Sequence, residues 1–108
     1  MNKYRIDLMD NNWKRFERRV AKALGGERIP VADRRSPLDV AHPRFGIECK
    51  YRNKLSKFIT DAMQQAVDGT SKDKLPLVAL GAKGDRQILV MLRLDDFIQL
   101  IGSENDVA

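Results

Sequence analysis

The run from Gln87 to Arg93, with Ile88-Leu89-Val90-Met91-Leu92 at its heart, constrains the fold of this chain more than any other stretch. It is nearly continuous in apolar residues and reads as a strand. Leu77-Val78-Ala79-Leu80 is a second run of the same kind, and Gly81-Ala82-Lys83-Gly84-Asp85-Arg86 between them supplies turn chemistry. Strands of this composition are expected to be buried on both faces, in a central sheet covered by helices.

Helices that could cover such a sheet are legible on either side. One is expected to start near Asn11 or Asn12, either of which can cap it, and to run to the Gly25-Gly26 stop. At one hundred degrees per residue, Trp13, Phe16, Val20 and Leu24 share a stripe with Ala21 at its edge. Glu17 lies inside that stripe. A carboxylate on a core-facing side needs an arginine partner or a metal to offset its desolvation. A second helix, about Leu55 to Val67 and ended by Gly69, would bury Leu55, Phe58, Ile59, Ala62, Met63 and Ala66, with Gln65 at the stripe's edge. Leu94 to Ile101 reads as a short closing helix. Residues 1–10 read as an extended or frayed arm, and 102–108 as a disordered tail.

Between the first two helices lie three short extended segments. Glu27 to Ala32 reads as a first strand, weakened by Pro30 and so placed at an edge. After the polar loop Asp33-Arg34-Arg35-Ser36 comes Pro37-Leu38-Asp39-Val40-Ala41. The breaker His42-Pro43-Arg44 then leads into Phe45-Gly46-Ile47-Glu48-Cys49-Lys50-Tyr51. Strand alternation sets Glu48 and Lys50 on one face and Ile47 and Cys49 on the other. A hairpin through Pro43 and Arg44 would bring Asp39 beside Glu48.

Two carboxylates at that distance repel unless a proton or cation is shared between them, and hard oxygen ligands suit Mg²⁺ or Mn²⁺. Lys50 adds a positive charge able to orient or help deprotonate a water, or to stabilise charge building on a phosphate. These are the parts of metal-assisted phosphodiester hydrolysis. The plain alternative is an exposed strand face with an ordinary Glu/Lys pair. Arg34 and Arg35 are placed to contact phosphates beside such a metal, or to decorate a surface loop, and Ser36 could contact substrate as well.

Pro37-Leu38-Asp39 followed by Glu48-Cys49-Lys50 resembles the PD-(D/E)XK nuclease superfamily, and the order helix, three strands, helix, two strands, helix resembles its core from about Asn11 to Ile101. The resemblance implies an α/β, restriction-endonuclease-like fold with a central mixed sheet of about five strands. It implies Asp39 and Glu48 as metal ligands, the backbone carbonyl of Cys49 as a third, and Lys50 as the residue that positions the attacking water. Glu17 matches an acid that some members carry on the first helix, and Gln65 a helix glutamine that reaches the site in others. Small size, the Glu17-Arg18 pair and Arg35-Ser36 shortly before the aspartate look like archaeal-type Holliday-junction resolvases and their viral relatives. The chain departs from these in a shorter loop before Asp39 and a tighter hairpin to Glu48, a difference that bears on junction specificity more than on nuclease chemistry.

The 108 residues are enough for one domain, and a net charge of +5 is unevenly spread. Residues 1–60 hold fifteen Lys and Arg against seven Asp and Glu, and residues 61–108 five against eight. The basic half carries the site, the expected electrostatic footprint for a polyphosphate partner. One cysteine excludes an internal disulfide and a Cys-built zinc site, one histidine excludes multi-histidine sites, and no nucleotide-binding glycine loop is present. With no secretory signal or apolar span in view, an intracellular, cytoplasmic protein is expected. The reading is a Mg²⁺-dependent endonuclease, with Mn²⁺ able to substitute, acting on branched DNA as a homodimer, with Arg18, Arg34 and Arg35 on phosphates. Its alternatives are a nuclease of the same fold acting on flaps, ends or duplex, and a DNA-binding module without activity.

Overall fold

A computed structural model describes residues 2–30 and 36–107, with side chains described over 12–30 and 36–102. The described residues are mixed α/β, with three helices and two small antiparallel sheets among them. It falls into two compact units, residues 1–53 and 54–108.

The first unit opens with α1, Asn2–Leu24, which begins well before the cap expected at Asn11 or Asn12. Residues 2–10 therefore belong to the helix rather than to an extended arm. The stretch contains neither glycine nor proline, and adding residues to an existing helix costs far less than nucleating one. The helix ends where glycine dictates. Gly25 takes a left-handed φ of +76°, its N–H reaches the Lys22 carbonyl at 3.4 Å, and Gly26 N–H donates to the Ala21 carbonyl at 2.8 Å. This is the paired bonding of a Schellman cap.

Strand β1, Glu27–Arg28, pairs antiparallel with β2, Val40–Ala41, in the register Glu27 with Ala41 and Arg28 with Val40. The expected first strand is thus shorter at its far end, and Val31 and Ala32 lie outside the described residues. On its other side β2 meets Ile47 through an antiparallel bridge from Val40. Ala21, Val40 and Cys49 form the buried centre, with Phe16, Val20 and Ile47 packed against it. The predicted stripe of α1 thereby covers the small sheet.

His42 ties the helix end to the turn after β2. Its Nδ1 accepts the Arg44 backbone N–H at 3.0 Å, so Nε2 carries the ring proton and donates to the Leu24 carbonyl at 2.8 Å. That carbonyl is one of those a helix end leaves without an intrahelical donor. His42→Ala removes both bonds and is expected to cost about 1–2 kcal/mol, read as a lower urea midpoint with unchanged helical circular dichroism in buffer.

In the second unit α2, Lys57–Gly69, is capped by Ser56, whose Oγ accepts the Ile59 N–H at 3.3 Å. Strands β3, Val78–Leu80, and β4, Leu89–Met91, form a hairpin with Ala79 opposite Val90, and β3 packs on α2. Helix α3, Leu94–Val107, continues past Ile101 through most of the expected tail.

Burial in this unit departs from expectation. Ile88, Leu89 and Val90 are 68%, 56% and 61% exposed, no residue of α2 is fully buried, with Phe58 exposed on it, and Leu55, which precedes the helix, is exposed as well. The apolar runs do form strands, but a two-stranded hairpin offers too little surface to cover both of its own faces. Strand pairing among the described residues is confined to these two sheets and the Val40–Ile47 bridge. None of the described helices is long and apolar enough to cross a membrane.

Candidate active site

The first unit fixes Asp39 from three directions. Its carbonyl accepts the Ile29 N–H at 2.8 Å, its N–H donates to the Ile47 carbonyl at 2.9 Å, and its carboxylate Oδ2 accepts the Cys49 N–H at 2.7 Å. The Val40–Ile47 bridge sets the antiparallel register, and one step along it stands Asp39 opposite Glu48. Paired residues in such a register share a face, so the two carboxyls come within hydrogen-bonding reach, as the hairpin through Pro43 and Arg44 predicts.

The electrostatics carry the mark of that closeness. Glu48 is pushed above the usual carboxylate value by its hydrogen bond to Asp39, then by desolvation and the Asp39 charge, against the pull of Lys50. Burial pushes Asp39 up, but the hydrogen bonds from Glu48, the Cys49 N–H and Glu17, together with the Lys50 charge, outweigh it and hold the carboxyl below its usual range. Opposite shifts in neighbouring carboxyls are what two acids close enough to share one proton produce.

Glu17 projects from α1 into the same place and is fully buried. Its Oε1 accepts the Arg28 Nε–H at 2.7 Å. Desolvation raises its pKa, the Arg28 hydrogen bond opposes that, and the neighbouring Asp39 charge raises it further. The sequence leaves an arginine and a metal as alternative explanations for a carboxylate in the core stripe. The structure supplies the arginine for one oxygen, while the other, Oε2, is buried with no N–H or O–H donor facing it among the described residues, and only a proton shared with the adjacent Asp39 carboxyl could bond it.

Cys49 is buried, with its thiol pushed up to about 11, first by desolvation and then by the Asp39, Glu17 and Glu48 charges. A thiol so placed is a poor nucleophile and packs as a small core residue. An open cleft of about 210 Å³ is lined by Trp13, Asp39, Glu48, Cys49, Lys50, Tyr51 and Arg52. Trp13 lies in its wall beneath the Arg28 guanidinium, 5.9 Å from guanidinium carbon to ring centroid, and the Tyr51 ring packs on Phe16 at 5.1 Å.

No three His, Cys, Asp or Glu side chains converge into a ready-made cage among the described residues. The oxygens present nonetheless fit a hard divalent cation. Mg²⁺ is commonly held by one or two carboxylates with water completing its shell, and here two acidic side chains face each other beside a buried carboxylate oxygen that accepts nothing.

The remaining predicted residues are scattered. Arg18 is exposed on α1. Ser36 Oγ accepts the Leu38 N–H at 3.3 Å and so caps its own turn. Arg34 and Arg35 lie outside the described residues, and Gln65 is exposed on α2 in the second unit. The sequence pattern does not mark Arg28 or Trp13 as site residues; the arginine partner that a buried Glu17 requires is the one signal that points towards Arg28. Comparison of the chain with protein-family models, curated proteins and solved structures finds no match.

Proposed function

We propose that the chain is a Mg²⁺-dependent endonuclease of the PD-(D/E)XK type acting on branched DNA. The observation that carries the reading is the Asp39–Glu48 pair, set face to face by strand register with Lys50 within electrostatic reach and Glu17 behind. An acid, an acid and a lysine on adjacent extended segments are the groups that phosphodiester hydrolysis needs. The helix followed by three short extended segments supports the restriction-endonuclease-like core, with a sheet of about five strands as its full form.

In this reading Asp39 and Glu48 hold the cation, with the Cys49 carbonyl beside them. When bound, the cation supplies Lewis acidity and a water that ionises closer to neutral pH. Lys50 positions that water or offsets charge building on the phosphate. Glu17 steadies Asp39 from the buried side, and Arg18, Arg34 and Arg35 hold flanking phosphates, with Ser36 and Gln65 as further contacts. Thirteen Lys and Arg against seven Asp and Glu in residues 1–53 give the unit that carries the site the charge a DNA backbone attracts. A four-way junction presents two scissile strands related by approximate two-fold symmetry, so a homodimer is part of the proposal. The exposed Ile88, Leu89 and Val90 offer an apolar face for it.

The test is an end-labelled four-way junction and a linear duplex of the same sequence, each with Mg²⁺ or EDTA, with Lys50→Ala in parallel. Paired symmetric nicks on the junction alone, lost in EDTA and reduced about 10²-fold or more in Lys50→Ala, are expected. Light scattering of the same sample should give the mass of two chains. Equal cutting of both substrates would remove the junction preference and keep the chemistry. Tight binding unaffected by EDTA, with no cutting, would leave a DNA-binding module.

A further inference from the structure

We infer that Arg28 is a positioning residue for the cation site, acting through Glu17. The inference rests on the metal-dependent reading above. Arg28 sits in β1, directly opposite Val40 and therefore one residue from Asp39 in the register. Its guanidinium is fixed twice, by the 2.7 Å Nε–H bond to Glu17 Oε1 and by its place over the Trp13 ring. Both side chains of the pair are largely withdrawn from solvent, the arginine 15% and the glutamate 1% exposed.

A carboxylate held by one oxygen cannot rotate freely. With Oε1 tied to Arg28, the second oxygen, Oε2, is buried without a hydrogen-bond donor among the described residues, and the carboxyl lies within reach of Asp39. Leaving such an oxygen unsatisfied costs free energy that a purely structural ion pair could avoid by a bidentate fork. Arg28 could offer that fork, yet its terminal NH2 is also buried without a partner among the described residues. The single-point attachment thus holds the Glu17 carboxyl against Asp39, the acid that stands opposite Glu48.

The sole tryptophan lines the cleft and provides the readout. Tb³⁺ is a hard, oxygen-seeking ion whose emission is sensitised by a nearby indole, so the metal-free protein is titrated with Tb³⁺ and the midpoint read. The midpoint is used rather than the intensity, because Arg28 itself lies over the donor ring. Arg28→Met is expected to weaken binding about 10-fold, the scale on which partners of ligating carboxylates act, and Glu17→Gln to weaken it by a similar factor. In the Glu17→Gln background, Arg28→Met should add nothing.

Arg28→Lys, which keeps the charge and guards against a variant that fails to fold, should weaken binding as Arg28→Met does, since a flexible ammonium lacks the planar fork seated over Trp13. Wild-type affinity in either Arg28 variant overturns the inference. So does an equal loss from Arg28→Met with and without Glu17, which would make the arginine merely structural. No sensitised emission from the wild type, or a midpoint unmoved by Asp39→Asn, overturns the metal reading and the inference with it. A midpoint moved by Asp39→Asn but not by the Arg28 variants overturns the inference alone.

Discussion

Asp39→Asn is expected to abolish metal-dependent cleavage while leaving the fold intact or more stable. The amide is nearly the same shape as the carboxylate, and its oxygen can still accept the Cys49 N–H that Asp39 Oδ2 accepts at 2.7 Å. Its NH₂ group becomes a donor towards Glu48 and Glu17, which in the native site can offer Asp39 only acceptors or a shared proton. Without cation, the substitution therefore relieves like-charge crowding, and the urea midpoint of the metal-free protein should hold or rise. With cation, a charged ligand has been replaced by a neutral one, and the several kcal/mol of transition-state stabilisation that a metal can supply is lost, on the order of 10³-fold in rate. The two measurements move in opposite directions only if the carboxylates are gathered for a function. A drop in the urea midpoint with no change in DNA cleavage would make Asp39 a structural residue.

That prediction rests on features visible in the sequence to different degrees. The Gly25-Gly26 stop, the apolar stripe of α1 and the anomaly of Glu17 within it all follow from a helical period, because burial there depends on neighbours three and four residues away. The facing of Asp39 and Glu48 follows from the short hairpin through Pro43 and Arg44, again a local matter. What sequence spacing did not yield was the partner of Glu17. Arg28 lies eleven positions on, past the turn of chain after Gly26, and only the β1–β2 register brings it back against α1.

The start of α1 escaped for a different reason. Asn11 and Asn12 are good caps, but capping preference is worth about 1 kcal/mol and yields when the helix can simply continue. The apolar runs at 77–80 and 87–93 show a further limit. Pattern alone identifies a strand that could be covered on both sides, and the same pattern fits a hairpin whose apolar residues stay exposed. The pattern places Ile88 to Val90 in the interior, whereas they are exposed.

Gly26→Ala is expected to damage the site from outside it. Gly26 follows the left-handed Gly25, and its own requirement is for space: a Cβ built there would collide with the Ala41 carbonyl oxygen and stand 3.0 Å from Val40 Cγ1. Neither neighbour can yield cheaply, since one is backbone in β2 and the other belongs to a fully buried side chain at the centre of the unit. Relief requires β2 to move away from the end of α1, or the Gly26 N–H to leave the Ala21 carbonyl, at a cost of about 1–3 kcal/mol. Asp39 immediately precedes β2 and bonds Ile29 and Ile47 across it, so either shift displaces its carboxylate relative to Glu48, which is anchored through Ile47. A displacement of about 1 Å at a reacting centre can cost about 10²-fold in rate. The expected result is therefore a lower urea midpoint together with slower junction cleavage that higher Mg²⁺ does not restore. Gly69→Ala is the matched control: nothing lies within 4 Å of its Cβ position, it ends α2 in the other unit, and it should leave cleavage unchanged. If Gly26→Ala cleaves as fast as wild type, β2 can shift without carrying Asp39, and the register that places the two acids together does not control the chemistry.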